Sequence, residues 1–364
     1  MGAALGRRSS STSSVSCSSR PVSGQCVTTH LIVGRVDLAR HLPGGARPEC
    51  RAGESGPARA TWARYRARRE QRQVDSQRKD GQVPEADAVV LDGRYELGEL
   101  LGRGGAADVH RAHDRVLDRP VAVKLLRQGG EEEGDRARFT AEGRLLARLQ
   151  HPHLVAVLDA GTEGDRPYLV MQLVEGPTLS QACRAGPLDA EQVRAVGQGL
   201  ADALAHVHEA GMVHRDVKPG NVLLDGTGRA RLSDFGIARL LADATRHTST
   251  GITLGTAAYL SPEQVRGEEV TGATDVYALG LVLLEALTGD REYTGPPMEV
   301  ALARLHRTPQ VPDRLPQPWP GLLRAMTAMR PQDRPTAAEV ARVLGGVEGA
   351  AVAARWRSAS GRAG

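Results

Sequence analysis

The chain has 364 residues, which is long enough to bury a sizeable core in one large domain or two average ones. Its formal net charge is +4, but residues 1–90 carry 15 Lys or Arg against 8 Asp or Glu, so the remainder carries a net −3. The basic charge therefore belongs to an N-terminal tail, and nucleic acid is an unexpected partner except through that tail.

Metal-binding, secreted and membrane proteins are disfavoured because the sequence patterns typical of them are absent. The four cysteines form no Cys-x-x-Cys pair and no Cys/His spacing of a metal site. The first arginines precede no apolar segment of a secretory signal, and no apolar run approaches the about 20 residues of a membrane span. We therefore expect a cytoplasmic protein without a membrane span.

Residues 1–90 contain a Ser run, scattered Pro and Gly and an Arg-rich stretch, without a sustained period of 2 or 3.6. Such a composition predicts disorder. A basic interaction arm, a phosphorylated tail and a translation start further downstream are the alternatives. Residues 347–364 are likewise predicted to be a short disordered tail.

A small β-rich lobe is predicted first along the chain. Its five strands are expected at 94–101, 107–112, 119–126, 153–161 and 167–174. Between the third and fourth strands, residues 134–149 place Phe139, Leu145, Leu146 and Leu149 at helical spacing.

A mainly helical lobe follows from about residue 187. Its first helix carries one apolar face, made of Val193, Val196, Leu200, Leu204 and Val207. Further helices are predicted at 274–288, 298–306, 319–329 and 336–345. The expected fold class is α+β with two lobes, in one domain over residues 94–346.

The first motif, LGRGGAADV at residues 101–109, lies between two strands. This placement argues against dinucleotide-binding and Walker loops, which lead into a helix. Its glycines let the backbone approach phosphate oxygens closely, although a Gly-rich hairpin without a ligand is the alternative.

The VAVK motif then places Lys124 at the end of an apolar strand, where the ammonium needs an anion or a route to solvent. Glu142, three residues after Phe139, is the expected partner.

The most specific motif is HRDVKPGN at residues 214–221. Asp216 can accept a hydroxyl proton, Lys218 can steady a transferring phosphoryl group, and Asn221 offers an amide oxygen to Mg²⁺. A charged turn after a helix is the alternative. The DFG motif follows 18 residues after Asp216, and Asp234 supplies a carboxylate for a hard cation.

In this order, the Gly-rich loop, VAVK, helical Glu, HRD with Asn, DFG and a Pro-Glu motif resemble the eukaryotic-like (Hanks-type) protein kinase family, in its bacterial Ser/Thr branch, over about residues 94–346. The resemblance implies a two-lobed kinase fold with ATP and Mg²⁺, or Mn²⁺, in the cleft. It implies Met171 as gatekeeper and 172–174 as hinge. The implied nucleotide-binding residues are Leu101, Gly102, Arg103, Gly104, Gly105, Ala106, Ala107, Asp108, Val109, Ala122, Lys124, Met171, Gln172, Val174 and Leu223.

The resemblance also implies the catalytic and scaffold roles. The catalytic residues would be Asp216, Lys218, Lys124, Glu142 and Thr256, with Asn221 and Asp234 as metal ligands. Glu263 would pair with Arg334, and Asp275 would hold the catalytic loop, residues 214–221. The chain departs from the family pattern at Ala107, which replaces the third glycine of the loop, and at Gln172, where an acidic residue is common.

Lys218 and Thr256 indicate Ser/Thr specificity by this resemblance. Arg215 beside Asp216 could pair with a phosphorylated activation loop, residues 237–260, so autophosphorylation is expected, with Thr248 and Thr250 the favoured sites. Many relatives continue into a membrane helix and a sensor, whereas this chain stops soon after its last predicted helix. Input is therefore expected from a partner, from a homodimer through the smaller lobe, or from the tail.

Three alternatives compete with a protein kinase. A pseudokinase would bind nucleotide without catalysis, but such proteins usually lose the lysine, the catalytic aspartate or the DFG aspartate, whereas Lys124, Asp216, Asn221 and Asp234 are all present here. A small-molecule phosphotransferase would have no use for the segment 256–264, which is typical of a platform for a peptide. A nucleic-acid-binding protein would act through the basic tail, with the kinase domain regulating it.

Overall fold

The computed structural model describes residues 89–104, 107–126, 143, 145–164, 166–235 and 257–346. These residues all belong to the second of two compact units, Glu54–Gly364. The disorder predicted for residues 1–90 and 347–364 concerns segments outside the described residues, apart from 89 and 90. Gly105, Ala106, Glu142, Thr256 and the activation-loop threonines also lie outside them.

The small lobe is built on a six-stranded antiparallel sheet in the order β1-β2-β3-β4-β6-β5. The strands are β1 Val90–Leu91, β2 Tyr95–Arg103, β3 Ala107–Asp114, β4 Arg119–Leu126, β5 Val157–Glu163 and β6 Arg166–Gln172. All five predicted strands are present. The two-residue β1 is additional, and it is too short to show an alternating pattern.

One face of this sheet buries a core that follows from alternation along β4, where Val121, Val123 and Leu125 point the same way. An ionic network closes the sheet. Arg94 donates two hydrogen bonds of 2.8 Å to the buried carboxylate of Asp114. These bonds hold the pKa of Asp114 well below its usual range.

The helical residues 145–148 pack only part of their predicted apolar set, since Leu146 and Leu149 are buried while Leu145 is half exposed. The large lobe contains seven helices within the described residues. They are α1 Leu179–Cys183, α2 Ala190–Glu209, α3 Pro262–Arg266, α4 Gly272–Thr288, α5 Pro297–His306, α6 Trp319–Met326 and α7 Ala337–Leu344.

The predicted apolar face of α2 is confirmed, because all five of its residues are buried. Helix α4 is buried almost throughout and forms the axis of the large-lobe core. Helices α1 and α3 were not predicted. Each has five residues and begins with a capping box, from Thr178 to Gln181 in α1 and from Ser261 to Gln264 in α3.

A small hairpin, β7 Val222–Leu224 with β8 Ala230–Leu232, lies at the junction of the lobes. A Cβ at Gly176 would lie 1.7 Å from the carbonyl oxygen of Leu224, so this close approach requires glycine. The segment after β6 is thereby held against β7. Among the described residues, no helix combines the length and apolar character needed to cross a bilayer.

Candidate active site

A cleft of about 360 Å³ opens between the six-stranded sheet and the β7–β8 hairpin. Val109 and Ala122 line it from the sheet, and Leu223 lines it from the hairpin. Met171 is buried against Ala122 and Val155 at the back. The predicted nucleotide-binding residues that line this cleft are Leu101, Gly102, Val109, Ala122, Met171, Gln172, Val174 and Leu223. The cleft is thus apolar on both broad sides, which suits a flat heterocycle.

The other described members of the predicted phosphate loop lie beside the cleft rather than in its lining. They are Arg103, Gly104, Ala107 and Asp108. Arg103 Nε lies 3.6 Å from Asp108 Oδ1, so an ion pair joins the two strands that flank the loop. Contact of these residues with phosphate stays a prediction.

Sequence reasoning missed an ion pair at the mouth of the cleft. Arg111 lies two residues after Val109, on the same face of β3 and directly opposite Ala122 on β4. Its Nη2 donates a hydrogen bond of 2.5 Å to Oε1 of Glu175, just after the hinge. Strand alternation could have placed Arg111 in the cleft, but no local signal identifies Glu175 as its partner.

Asp234 lines the cleft and meets Lys124 of β4, which lies beside the lining, with Lys124 Nζ 2.6 Å from Asp234 Oδ1. Burial raises the pKa of Asp234, but the Lys124 ammonium, together with Lys218 and His214, outweighs this effect and holds that pKa below its ordinary value. Asp234 adopts a left-handed backbone conformation with φ of 60°. Such backbone is strained for a non-glycine residue and is often found at functional sites.

Three polar side chains of the catalytic loop converge, as their spacing predicts. Lys218 Nζ donates to Oδ2 of Asp216 over 2.7 Å. Asn221 Nδ2 donates to the same oxygen over 3.0 Å and to the Asp216 carbonyl over 2.9 Å. Because its amide nitrogen is committed to Asp216, Asn221 can ligate a cation only through Oδ1.

His214 supports the backbone of Asp216 from a fully buried position. The Asp216 N–H donates to His214 Nδ1 over 3.3 Å, so the ring proton lies on Nε2, which is 3.1 Å from the Ser233 carbonyl. Burial lowers the pKa of His214, so the ring is neutral at neutral pH.

The catalytic loop is anchored on helix α4 by Asp275, as the resemblance implied. The buried carboxylate accepts hydrogen bonds of 2.8 Å from the backbone N–H groups of both His214 and Arg215. It also lies 2.8 Å from His208 Nε2 on α2. Arg215 has φ of 67°, so its main chain is held in another strained conformation.

The expected pairing of Glu263 with Arg334 is present. Arg334 donates bonds of 2.6 and 2.8 Å to the two carboxylate oxygens, and both side chains are buried. Thr274 adds a bond of 2.7 Å to Glu263. The residue after Glu263 on α3 is Gln264, whose Nε2 donates to the Arg215 carbonyl over 3.2 Å and so joins this segment to the catalytic loop.

No cluster of three or more His, Cys, Asp or Glu side chains suited to a metal occurs among residues that the structure describes. The two metal ligands that the sequence predicts are the carboxylate of Asp234, which lines the cleft, and the amide oxygen of Asn221. A cation held by them needs further oxygen ligands from its own ligand, as phosphate groups provide.

Comparison with known proteins agrees with this geometry. Residues 95–343 match the protein kinase domain family. The chain is 43% identical over 256 residues to serine/threonine-protein kinase PknL of Mycobacterium tuberculosis, which covers 68% of this chain and 64% of that protein. It is 42% identical over 231 residues to serine/threonine-protein kinase PknB of Mycobacterium leprae, covering 62% of this chain and 37% of the relative.

A third relative is the probable serine/threonine-protein kinase SCO3848 of Streptomyces coelicolor, 44% identical over 230 residues, with 61% of this chain and 34% of the relative covered. The chain thus spans about a third to two thirds of the length of these relatives. The matched residues include the described cleft, the catalytic loop and the Glu263–Arg334 pair. The chain therefore belongs to the protein kinase domain family.

Proposed function

We propose that this chain is a Ser/Thr protein kinase that transfers the γ-phosphoryl group of ATP to Ser or Thr hydroxyls of proteins. The observation that carries the proposal is that the Lys124–Asp234 pair lies beside the Asp216–Lys218–Asn221 cluster, since Ser233, the residue before Asp234, donates its N–H to the Asn221 carbonyl over 2.8 Å. The names of the bacterial relatives support the same activity.

The residues present fit a nucleotide and a divalent cation. Val109, Ala122 and Leu223 offer apolar surfaces for the base. Asp234 and the Oδ1 atom of Asn221 are hard oxygen donors of the kind that Mg²⁺ or Mn²⁺ takes. Lys124 would bind phosphate oxygens and pair with Glu142. ATP, when bound, supplies the γ-phosphoryl group, and the cation neutralises charge on its phosphates.

In the proposed reaction, the Asp216 carboxylate orients the acceptor hydroxyl and takes its proton. A bond forms between that oxygen and the γ-phosphorus while the bond to the departing ADP breaks. The Lys218 ammonium, 2.7 Å from Asp216, stabilises the developing negative charge. Lys218 and Thr256 favour Ser and Thr over Tyr.

The remaining parts of the proposal concern partners and control. We propose protein substrates, with autophosphorylation at Thr248 or Thr250. The homodimer through the small lobe and the cytoplasmic location stay predictions from the sequence.

Incubation of the full chain with a basic test protein and ATP labelled in its γ-phosphate tests this function. We expect label on Ser and Thr in phosphoamino-acid analysis, and Asp216→Asn should lower the rate by about 10²–10⁴-fold. Asp333→Asn, a surface change outside the cleft, is the matched control and should leave the rate unchanged.

Equal labelling by Asp216→Asn and the parent would contradict the assigned role. ATP binding by the parent without label transfer would favour the pseudokinase alternative.

A further inference from the structure

Arg304 of helix α5 is fully buried, with 0% of its surface exposed, and is the largest of the fully buried side chains. Its guanidinium donates to the carbonyl of Ala257 over 2.6 Å and also to the carbonyl of Leu260. It donates to Val300 one turn earlier on α5 and stacks 4.7 Å from the ring centroid of Tyr293. No ion pair to Arg304 occurs within the described part of the chain.

A buried guanidinium without a carboxylate is costly, since its charge loses hydration and gains no opposite charge. Burial accordingly lowers the pKa of Arg304. A Met or Leu side chain would fill the space without this cost, but it would leave the carbonyls of Ala257 and Leu260 without their donor. What the arginine adds is therefore the fixation of these two carbonyls.

The two carbonyls belong to residues 257–260, which join the segment beyond Gly236 to helix α3. This short segment is held from two directions. The hydroxyl of Tyr259 donates to Glu285 of α4, while Arg304 holds the backbone from α5. Helix α3, which follows directly, is bonded through Gln264 to the carbonyl of Arg215, the residue before Asp216.

We propose that Arg304 is a positioning residue for the protein substrate. It fixes the backbone of residues 257–260, which belong to the predicted peptide platform 256–264, relative to the catalytic loop, and so places the acceptor hydroxyl at Asp216. Arg304 itself touches neither nucleotide nor peptide. This inference rests on the proposed function, because it assigns a peptide to residues 257–260.

The chain offers a matched control. Arg307 stacks on the same Tyr293 ring, 4.5 Å from its centroid, but its guanidinium bonds to Glu292 rather than to the platform. Arg307→Met removes a guanidinium from that ring and leaves the platform contacts in place. Arg304→Met removes the platform contacts, and Arg304→Lys keeps the charge but has no planar fork with which to span two carbonyls.

Two measurements on the full chain test the proposal. In hydrogen–deuterium exchange, Arg304→Met should exchange the amides of 257–261 about tenfold faster or more, because bonds to a charged donor are lost. The amides of β2 to β4 should keep the parent rates, and Arg307→Met should match the parent throughout. Arg304→Lys should fall between the parent and Arg304→Met.

In steady-state kinetics, Arg304→Met should raise the KM for a test peptide by about tenfold while the KM for ATP stays within about twofold. A uniform rise in exchange across the large lobe, with both KM values changed alike, would show a merely structural role and overturn the proposal. Unchanged exchange at 257–261 would overturn it as well. The exchange at 257–261 can be measured even if the parent transfers no phosphate. Failure of the proposed kinase function is therefore distinguished from failure of the role proposed for Arg304.

Discussion

The charged groups of the cleft and those of the scaffold beneath it are held in different ways. The side chains of Lys124 and Asp234 are 18% and 29% exposed, at the surface of the cleft. The side chains of Arg334 and Glu263 are 0% and 2% exposed. A pair at the cleft surface can exchange its partner for a ligand at little cost, whereas separation of the scaffold pair leaves a charge buried in the core. Activity and stability should therefore depend on different charges.

The largest effect is expected from Asp234→Asn, which should lower activity far more than stability. It removes the carboxylate that faces the cleft, so phosphoryl transfer should fall on the order of 10³-fold. The free energy of unfolding should change by about 1 kcal/mol or less, because Lys124 remains in contact with solvent. Initial rates and urea unfolding measure the two quantities. A large loss of stability would erase the distinction between the two sets of charges.

The reverse pattern is expected from Arg334→Met. Glu263 would keep a buried carboxylate without its cation, which costs about 3–5 kcal/mol of unfolding free energy. At present burial raises the pKa of Glu263, but the bonds from Arg334 and Thr274 bring it below its ordinary value. Urea unfolding of the parent and of Arg334→Met measures this loss of unfolding free energy.

Arg330→Met, which breaks an exposed pair with Asp333, is the control for this change and should cost about 1 kcal/mol or less. The double variant Glu263→Leu/Arg334→Met should recover part of the stability that Arg334→Met loses. An equally unstable double variant would show that the unpaired carboxylate is not the cause.

The smallest expected effect concerns pH. Burial lowers the pKa values of His151 and His214 below 6.5, so the unfolded chain binds protons that the folded chain does not. Above about pH 6.5 the two histidines are neutral in both states and do not affect stability, whereas below it they destabilise the fold, by at most about 1.4 kcal/mol per pH unit for each histidine. Urea unfolding at several pH values should give a shallower slope for His151→Gln than for the parent. Identical slopes would exclude His151 as a source of the pH dependence of the unfolding free energy.

Sequence reasoning predicted the elements whose pattern is local. The strands that carry Val109 and Lys124 and the apolar face of α2 follow from alternation and helical periodicity. The motif spacing indicated that Asp216 and Asn221 lie together, and the residue before Asp234 is bonded to the Asn221 carbonyl. The short helices α1 and α3 were missed because five residues give no periodicity and their ends depend on capping.

Side-chain roles that arise from tertiary packing were also missed. Arginine is normally a surface residue, so nothing in the local sequence indicates that Arg304 is buried. The Arg111–Glu175 pair joins residues 64 positions apart, and only the fold brings them together.

The position of Asp275 has a mechanical consequence. Because its carboxylate binds the backbone of the catalytic loop from helix α4, that loop moves with the large-lobe core. The six-stranded sheet, by contrast, contacts the large-lobe side of the cleft through side-chain pairs such as Lys124–Asp234. The backbone that carries Asp216 is thus fixed to the large-lobe core, so a displacement of the six-stranded sheet should alter the Lys124–Asp234 distance before it alters the position of Asp216 relative to α4.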